Sequence, residues 1–167
     1  MSSEQKTTSE NTHDTRYLSF LLGTEEYAVP LLAVKEVIAV PEITSVPATP
    51  PHFLGIMNLR GQVISLIDLR QKLGIKPQAG SETAVIICDL GHMSIGVVVD
   101  AINMVLAPAS ADISLKPEIS SNRNTDYITH VYKKDKSMVL FLDIKKALNM
   151  EDHAALANAQ KTAIKAA

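Results

Sequence analysis

Several kinds of residue are scarce in this chain, and each shortage removes a class of function. Among 167 residues there is no tryptophan, aromatic residues make up 4%, and cysteine occurs once. A barrel that binds a small molecule needs a cavity lined by aromatic side chains and a few polar groups, so this composition argues against one. The lone Cys88 cannot form an internal disulfide, and its apolar neighbours predict a small buried hydrophobic residue.

The chain also lacks an excess of charge and a long apolar run. Its 16 basic and 18 acidic residues give a net charge of -2, which provides no electrostatic footprint for nucleic acid or anionic lipid. No apolar run approaches the roughly 18 to 20 residues that span a bilayer, and the N-terminus has no signal-peptide core. We expect a cytoplasmic protein that does not insert directly into a membrane.

Catalytic motifs are missing as well. The histidines are scattered singly, without the spacing of metal ligands: His13, His52, His92, His130 and His153. Four aspartates each follow an apolar run, where capping and turn roles explain them: Asp68, Asp89, Asp100 and Asp143. There is no phosphate loop, dinucleotide fingerprint or nucleophile elbow. We therefore expect no enzyme, no metal and no cofactor, and this profile favours a binding function.

One feature that is present stands out, which is Arg60 in the otherwise apolar and turn-forming stretch 54–69. A guanidinium stays charged, so if it is buried it must pair with a carboxylate and use its five donors. Arg60 is therefore either a buried strut or a docking point. The run 58–61, Asn-Leu-Arg-Gly, predicts a turn that feeds a buried strand, with Gly61 free to adopt positive φ.

Polar termini and an apolar middle predict the limits of the fold. Residues 1–16 are polar and predict a disordered tail. Apolar runs at 17–22 and 25–29 predict a hairpin. The alanine-rich stretch 151–167 favours a helix, which either lies on the first of two barrels, inferred below from an internal repeat, or frays.

The remaining segments predict one helix and several strands. Leu31, Val34 and Ile38 share a face at helical spacing, so we expect a helix over 31–38 that ends before Pro41. The other predicted elements are a stiff proline-rich loop at 41–51, strands at 83–90, 94–100 and 102–106, a loop at 107–125 and a hairpin formed by 127–133 and 136–142.

An internal repeat relates the two halves of the chain. Residues 63–74 align without gaps to residues 138–149. In each copy an apolar strand ends at an aspartate that can cap a short helix, and Gly74 or Asn149 can end that helix in the left-handed conformation. Closing each small sheet on itself removes exposed edges, so the repeat favours a pair of barrels, although chance similarity of two apolar strands remains an alternative.

Several blocks in the right order resemble the CheW family of bacterial chemotaxis coupling proteins. They are residues 20–27 (FLLGTEEY), 34–37 (VKEV), 55–61 (GIMNLRG), 68–70 (DLR) and 96–100 (GVVVD). The resemblance implies an all-β fold with short helices, in which residues 17–150 form two interlocked five-stranded SH3-like barrels, plus a C-terminal helix. It also implies an adaptor that joins methyl-accepting chemoreceptors to the histidine kinase CheA.

The resemblance further implies two contact surfaces. The receptor's cytoplasmic hairpin tip is expected in a groove between the barrels, formed by Val34, Glu36, Val37, Arg60, Val97 and Val98. The regulatory domain of the kinase is expected at Ile43, Val46, Gly55, Met57 and Asn58. Glu36 and Arg60 are expected to form an ion pair that holds the groove wall while one side faces partners. The valines 97 and 98 are equally explained as core, and the kinase set as loop packing.

One departure from the family and three other functions stay open. Many relatives place glycine in a turn where this chain has His130, so that hairpin, in the second barrel, is expected to be reshaped. The alternatives are an adaptor of a pilus-motility pathway, a regulator fused to a receiver domain and a small-molecule-binding barrel. A receiver would need about 100 more residues, which the short flanking tails do not supply.

Overall fold

The structure, a computed structural model, describes residues 16–78, 83–115 and 126–165. The predicted tail 1–16 lies outside these residues, except for Arg16. The strands are β1 (Tyr17–Leu22), β2 (Glu25–Pro30), β3 (Val34–Ala39), β4 (Phe53–Leu59), β5 (Gln62–Asp68), β6 (Ala84–Asp89), β7 (Ser94–Val99), β8 (Ala101–Leu106), β9 (Ile113–Leu115), β10 (Ile128–Lys134) and β11 (Ser137–Leu142). The helices are α1 (Leu69–Leu73), α2 (Ile144–Ala147) and α3 (Met150–Lys165).

The described strands form two sheets. One has the order β3-β6-β7-β5-β4, and we call it barrel 1. The other, barrel 2, has the order β8-β1-β2-β11-β10-β9, in which the three-residue β9 adds a sixth strand. This architecture confirms the predicted fold class, an all-β protein with short helices and two SH3-like barrels.

The barrels are interlocked because the chain crosses between them twice. It leaves barrel 2 after β2, passes through a 3₁₀ turn at Leu31–Ala33 and builds all of barrel 1. It returns between β7 and β8, where Asp100 alone separates the two strands. The largest apolar cluster contains Phe20 and Leu142 from barrel 2 together with Ile86 from barrel 1, so the barrels share a core.

The internal repeat is present in the structure. Strands β5 and β11 each pair antiparallel with one neighbour and parallel with another. Asp68 and Asp143 cap the helices that follow, by accepting from backbone N–H groups. Gly74 ends α1 in the left-handed region at φ 69°, as predicted.

The prediction for Asn149 is wrong, because α2 ends at Leu148 in an extended conformation. Asn149 instead begins α3. Its Oδ1 accepts from the Asp152 backbone N–H at 2.8 Å, and Asp152 Oδ2 accepts from the Asn149 N–H at 2.9 Å. This reciprocal pairing is a capping box, which explains why the residue equivalent to Gly74 is polar.

The predicted helix over 31–38 is also wrong. Only the 3₁₀ turn at its start is helical, and the remainder is strand β3. Exposure along β3 alternates with a period of two, and Val34, Val37 and Ile38 are β-branched, which favours an extended chain. In so short a segment a spacing of four residues, as between Val34 and Ile38, fits both a helix and a strand. Hydrogen bonding of β3 to β6 therefore decides that the segment is extended.

Two predictions in barrel 2 need correction. The stretch 107–125 is not all loop, because it contains a 3₁₀ turn at Ser110–Asp112 and strand β9, while 116–125 lies outside the described residues. His130 does not sit in a turn. It lies within β10, just after a register shift opposite β11, with its ring 6.4 Å from that of Phe141.

Helix α3 lies on barrel 1, which was one of the two predicted outcomes. It packs against β5, with Leu156 and Ala159 buried at 0% and 3% exposure. The polar Asp152 is buried alongside them at 3%. Helix α3 is therefore held by apolar packing together with a buried polar side chain.

Candidate functional site

The turn between β4 and β5, residues 59–62, presents Arg60 at the surface. Leu59 pairs with Gln62, so the loop has two residues, and both have positive φ: 51° at Arg60 and 86° at Gly61. This geometry fits the right-handed twist of a hairpin and is usually occupied by Asn-Gly. The Asn58 Oδ1 accepts from the Gly61 N–H at 2.8 Å and stabilises the turn. We call residues 58–61 the arginine turn.

Arg60 contacts Glu36 across the surface of barrel 1. Its Nη2 donates to Oε1 of Glu36 on β3. The side chain of Arg60 is 72% exposed and that of Glu36 is 30% exposed. The possibility of a buried strut is therefore wrong for Arg60, since an exposed pair of this kind contributes about 0 to 1 kcal/mol to stability.

The ion pair lies on the seam where barrel 1 closes. Strands β3 and β4 are the edges of the sheet. After β3 the chain crosses to β4, where Thr44 and Ile56 exchange two backbone hydrogen bonds of 2.9 Å. Gly55 permits this approach, because a Cβ there would lie 2.2 Å from the Thr44 carbonyl oxygen.

Two surface depressions flank the arginine turn. One, of about 430 Å³, is lined by Gly61, Gln62 and Val63 together with Lys35 and the 92–94 segment. The other, of about 420 Å³, is lined by Asn58, Met57 and Val63 together with residues of the proline-rich loop. Because Gly61 borders the first depression and Asn58 borders the second, the turn forms a ridge between two concave surfaces.

The predicted receptor residues divide into a surface group and a buried group. Val34 and Glu36 are half-buried, and Val37 is 41% exposed. In contrast, Val97 and Val98 are buried at 2% and 3% exposure. Three of the predicted residues therefore lie on β3, where Glu36 meets Arg60 of the arginine turn, whereas the two β7 valines lie in the core.

The predicted kinase residues divide in the same way. Asn58 is exposed, Ile43 is half-buried against the apolar cluster that contains Met57, and Val46 is half-buried against the cluster shared by the two barrels. Met57, which is 4% exposed, and Gly55 are buried. The set therefore consists of a few accessible side chains above two residues that support the proline-rich loop.

A third depression, of about 320 Å³, lies between the barrels. It is lined from barrel 2 by residues that include Val29 and Leu142, and from barrel 1 by Cys88 and Leu90. Ala33 also lines it, next to Val34, which pairs with Cys88. Val34 therefore lies at the edge of this inter-barrel groove. Burial raises the pKa of Cys88 to about 12, so this thiol is unreactive.

The arginine that is buried is Arg70, which the sequence analysis did not single out. Its side chain is 11% exposed. Asp68 accepts from Nε at 2.9 Å and from Nη2 at 3.0 Å, and Asp100 accepts from Nη1 at 2.8 Å. Burial alone would raise the pKa of Asp100, but hydrogen bonds from Gly23, Arg70 and Gln78 outweigh it and the pKa is lowered. The sequence signal that could have identified Arg70 is a charged residue next to the end of an apolar strand, which is the same kind of signal that pointed to Arg60.

Another buried carboxylate, that of Asp152, holds α3. Asp152 Oδ1 lies 2.5 Å from His52 Nε2, and Oδ2 lies 2.5 Å from Lys72 Nζ. Burial acts to raise the pKa of Asp152, but Lys72, the Asn149 N–H and His52 together lower it. The cluster joins α3 to α1 and to the chain before β4, so its arrangement is that of a structural anchor.

Among residues 16–78, 83–115 and 126–165, no group of three or more His, Cys, Asp or Glu side chains could hold a metal ion. No helix in that part of the chain is long and apolar enough to cross a membrane.

Comparison with known proteins identifies the family. A family model described as "CheW-like domain" matches residues 16–152. The chain belongs to the CheW-like domain family. It is 33% identical over 147 residues to the chemotaxis protein CheW of Klebsiella aerogenes, covering 87% of this chain and 89% of that protein. It is 31% identical over 138 residues to the CheW of Helicobacter pylori, covering 81% and 82%.

A solved structure shows the same fold. The scaffolding protein TtCheW of Thermoanaerobacter tengcongensis superposes with a TM-score of 0.71 at 29% identity, covering 78% of this chain and 90% of that chain. CheW proteins are chemotaxis scaffolds and not enzymes.

Proposed function

We propose that this CheW-family scaffold couples methyl-accepting chemoreceptors to the histidine kinase CheA, so that receptors control kinase activity within an assembled array. The observation that carries the proposal is the exposed ion pair of Glu36 and Arg60 on a ridge between two depressions. An exposed pair adds little stability, so the fold does not require these charges. Charges of this kind fix the register of a partner.

The receptor's cytoplasmic hairpin tip is the partner we assign to the β3 side of this ridge. Val37 and Val40 are exposed there at 41% and 42%, and Val34 borders the inter-barrel groove. A helical hairpin offers apolar side chains at helical spacing, which would cover these valines while its charges meet Glu36 and Arg60. Val97 and Val98 would act only indirectly, by supporting the sheet from inside.

The regulatory domain of CheA is the partner we assign to the other side, at the proline-rich loop. Asn58 borders the depression there, with Ile43 and Val46 on the adjoining loop. A loop stiffened by prolines loses little conformational entropy when it docks. Gly55 and Met57 would shape this surface from beneath, and the protein would act in the cytoplasm, at receptor arrays on the membrane.

The experiment that tests this function is titration calorimetry of the chain against two partners separately. One partner is the regulatory domain of CheA from the same host, and the other is a soluble fragment that carries the receptor's cytoplasmic tip. We expect saturable binding of both. Failure of the folded wild-type chain to bind either partner would refute the proposal.

A charge-neutral variant separates binding from folding. Arg60→Asn removes the charge and keeps a residue that tolerates positive φ, so the turn should remain intact. We expect receptor affinity to fall about tenfold, which corresponds to about 1.4 kcal/mol, with kinase-domain affinity unchanged. The matched control is Lys136→Asn, which removes an exposed cation from the hairpin turn of barrel 2 and should bind both partners like the wild type.

A further inference from the structure

The second crossover between the barrels is a single buried residue. Asp100 is 0% exposed and lies between the last residue of β7 in barrel 1 and the first residue of β8 in barrel 2. The first crossover differs, because residues 31–33 are half-buried or exposed. A buried carboxylate at such a junction needs hydrogen-bond donors, and those of Asp100 come from both barrels.

Each oxygen of the Asp100 carboxylate accepts hydrogen bonds from a different barrel. Oδ2 accepts from the backbone N–H of Gly23, in the β1–β2 turn of barrel 2, at 2.6 Å. Oδ1 accepts from Arg70 Nη1 at 2.8 Å and from the Gln78 N–H at 3.3 Å, both in barrel 1. The Asp100 N–H also donates to the Leu21 carbonyl of barrel 2 at 3.0 Å.

Arg70 is held rigidly on the barrel 1 side of this contact. Asp68, at the end of β5, binds the guanidinium through two parallel hydrogen bonds. Bidentate pairing fixes the plane of the guanidinium, so the position of Nη1 is set by barrel 1 before it meets Asp100. We call the chain of contacts from Asp68 through Arg70 and Asp100 to Gly23 the carboxylate bridge.

We infer that Asp100 is a positioning residue that fixes the angle between the two barrels through the carboxylate bridge, and thereby sets the width of the inter-barrel groove. The groove is lined from both barrels, so its width depends on how they are oriented. A carboxylate accepts hydrogen bonds on both sides, whereas an amide accepts on one side and donates on the other. Asp100→Asn must therefore direct its NH₂ group at donors of one barrel and lose that attachment.

A distance measurement between spin labels tests the inference without any partner. The labels are placed on exposed positions, Gln62→Cys in barrel 1 and Lys133→Cys in barrel 2. The native Cys88 is 1% exposed and would not be labelled. We expect a narrow distance distribution in the otherwise native chain, and a shifted or broadened one when Asp100→Asn is added.

The matched control is Asp143→Asn, at the position of the repeat in barrel 2 that corresponds to Asp68, where the carboxylate accepts from the Lys146 N–H of the same barrel. Asparagine also caps helices well, so α2 should persist. We expect this variant to keep the native distance distribution. Equal broadening in both variants, or no change in Asp100→Asn, would overturn the inference.

A milder variant covers the case in which Asp100→Asn does not fold. Arg70→Lys keeps the positive charge but replaces the planar fork by a single ammonium group, which cannot hold Asp68 and Asp100 in one fixed geometry. We expect it to broaden the distance distribution less than the asparagine variant does. A native distribution in a folded Arg70→Lys protein would count against the inference.

Binding supplies a second readout, and this part rests on the proposed function. The receptor contacts are assigned beside a groove made by both barrels, whereas the kinase contacts lie wholly in barrel 1. Asp100→Asn should therefore weaken receptor binding about tenfold, within the usual range of coupling between distant sites, and leave kinase-domain binding unchanged. Equal loss of both affinities would contradict the positioning role. If the wild-type chain bound no receptor fragment, the proposed function would fail while the distance result still decided the role of Asp100.

Discussion

Arg60 reaches Glu36 from a backbone with φ 51°, in the left-handed region that only some residues tolerate well. A hairpin turn of this type favours asparagine at that position, so arginine is not the choice that best stabilises the turn. Its side chain is also largely exposed, at 72%. This combination supports the proposed contact of Arg60 with a partner, because the residue neither suits its backbone nor fills the core.

The first prediction concerns the contribution of this pair to stability. We expect Glu36→Gln, Arg60→Asn and the double variant to differ from the wild type by about 1 kcal/mol or less in free energy of unfolding, because exposed pairs are solvated. The coupling energy of the double-mutant cycle, measured by urea unfolding, should lie in the same range. A coupling energy of about 3 kcal/mol would instead indicate a structural pair.

Sequence reasoning succeeded where a local rule and the tertiary fold agree. The hairpins, the caps at Asp68 and Asp143 and the left-handed Gly74 follow from turn and capping chemistry. It failed at β3, because pairing with β6 outweighs a helical spacing that spans only eight residues. Which arginine is buried could not be predicted, since Asp100 lies 30 residues from Arg70 and only the crossover brings them together.

A buried serine in β5 gives the second prediction. In the described part of the chain, Ser65 Oγ is the buried side-chain polar atom without a hydrogen-bond partner, and the residue is 0% exposed. Its hydroxyl is desolvated without compensation, so Ser65→Ala should leave the free energy of unfolding unchanged or raise it by about 1 kcal/mol. Urea unfolding of the variant measures this directly.

Ser19 provides the matched control, since it is another serine at 0% exposure. Its hydroxyl donates to the Met104 carbonyl at 3.1 Å and accepts from the Met104 N–H at 3.2 Å. Ser19→Ala should lower the free energy of unfolding by about 1 to 3 kcal/mol, because it strands both backbone groups. Similar losses in the two alanine variants would contradict the assignment of Ser65.

The third prediction is a loss of stability in acid that depends on Asp152. The pKa of Asp152 is lowered in the folded state, so its contribution is fully present above the ordinary carboxyl value, about 3.9. That contribution is lost as the pH falls through the folded-state pKa. Asp100 has a pKa shift of the same direction and adds to the effect. Urea midpoints should therefore fall steeply below about pH 4 in the wild type.

The variant Asp152→Asn measures how much of the acid-dependent loss of stability comes from the carboxylate that anchors α3. Asparagine can keep the helix cap but strands Lys72, so we expect a loss of about 3 kcal/mol at neutral pH, where breaking a buried pair is costly. Its stability should then vary less with pH than that of the wild type. An identical acid dependence in both proteins would show that Asp152 is not the titrating group.

The fourth prediction concerns the glycine on which the seam of barrel 1 depends. Gly55 has φ 145°, and a Cβ there would lie 2.2 Å from the Thr44 carbonyl oxygen, which is backbone and cannot rotate away. Gly55→Ala must break the Thr44–Ile56 bridge, so we expect it to destabilise the protein by about 2 kcal/mol or more, by thermal or urea unfolding. Gly61→Ala is the control, since a Cβ there meets nothing within 4 Å and only its positive φ is unfavourable, at about 1 to 2 kcal/mol.

Kinase-domain binding separates the two variants further, because moving the proline-rich loop should weaken that binding in a folded Gly55→Ala protein. Equal stability and equal binding in both variants would show that the seam tolerates displacement and that Gly55 does not shape the kinase surface.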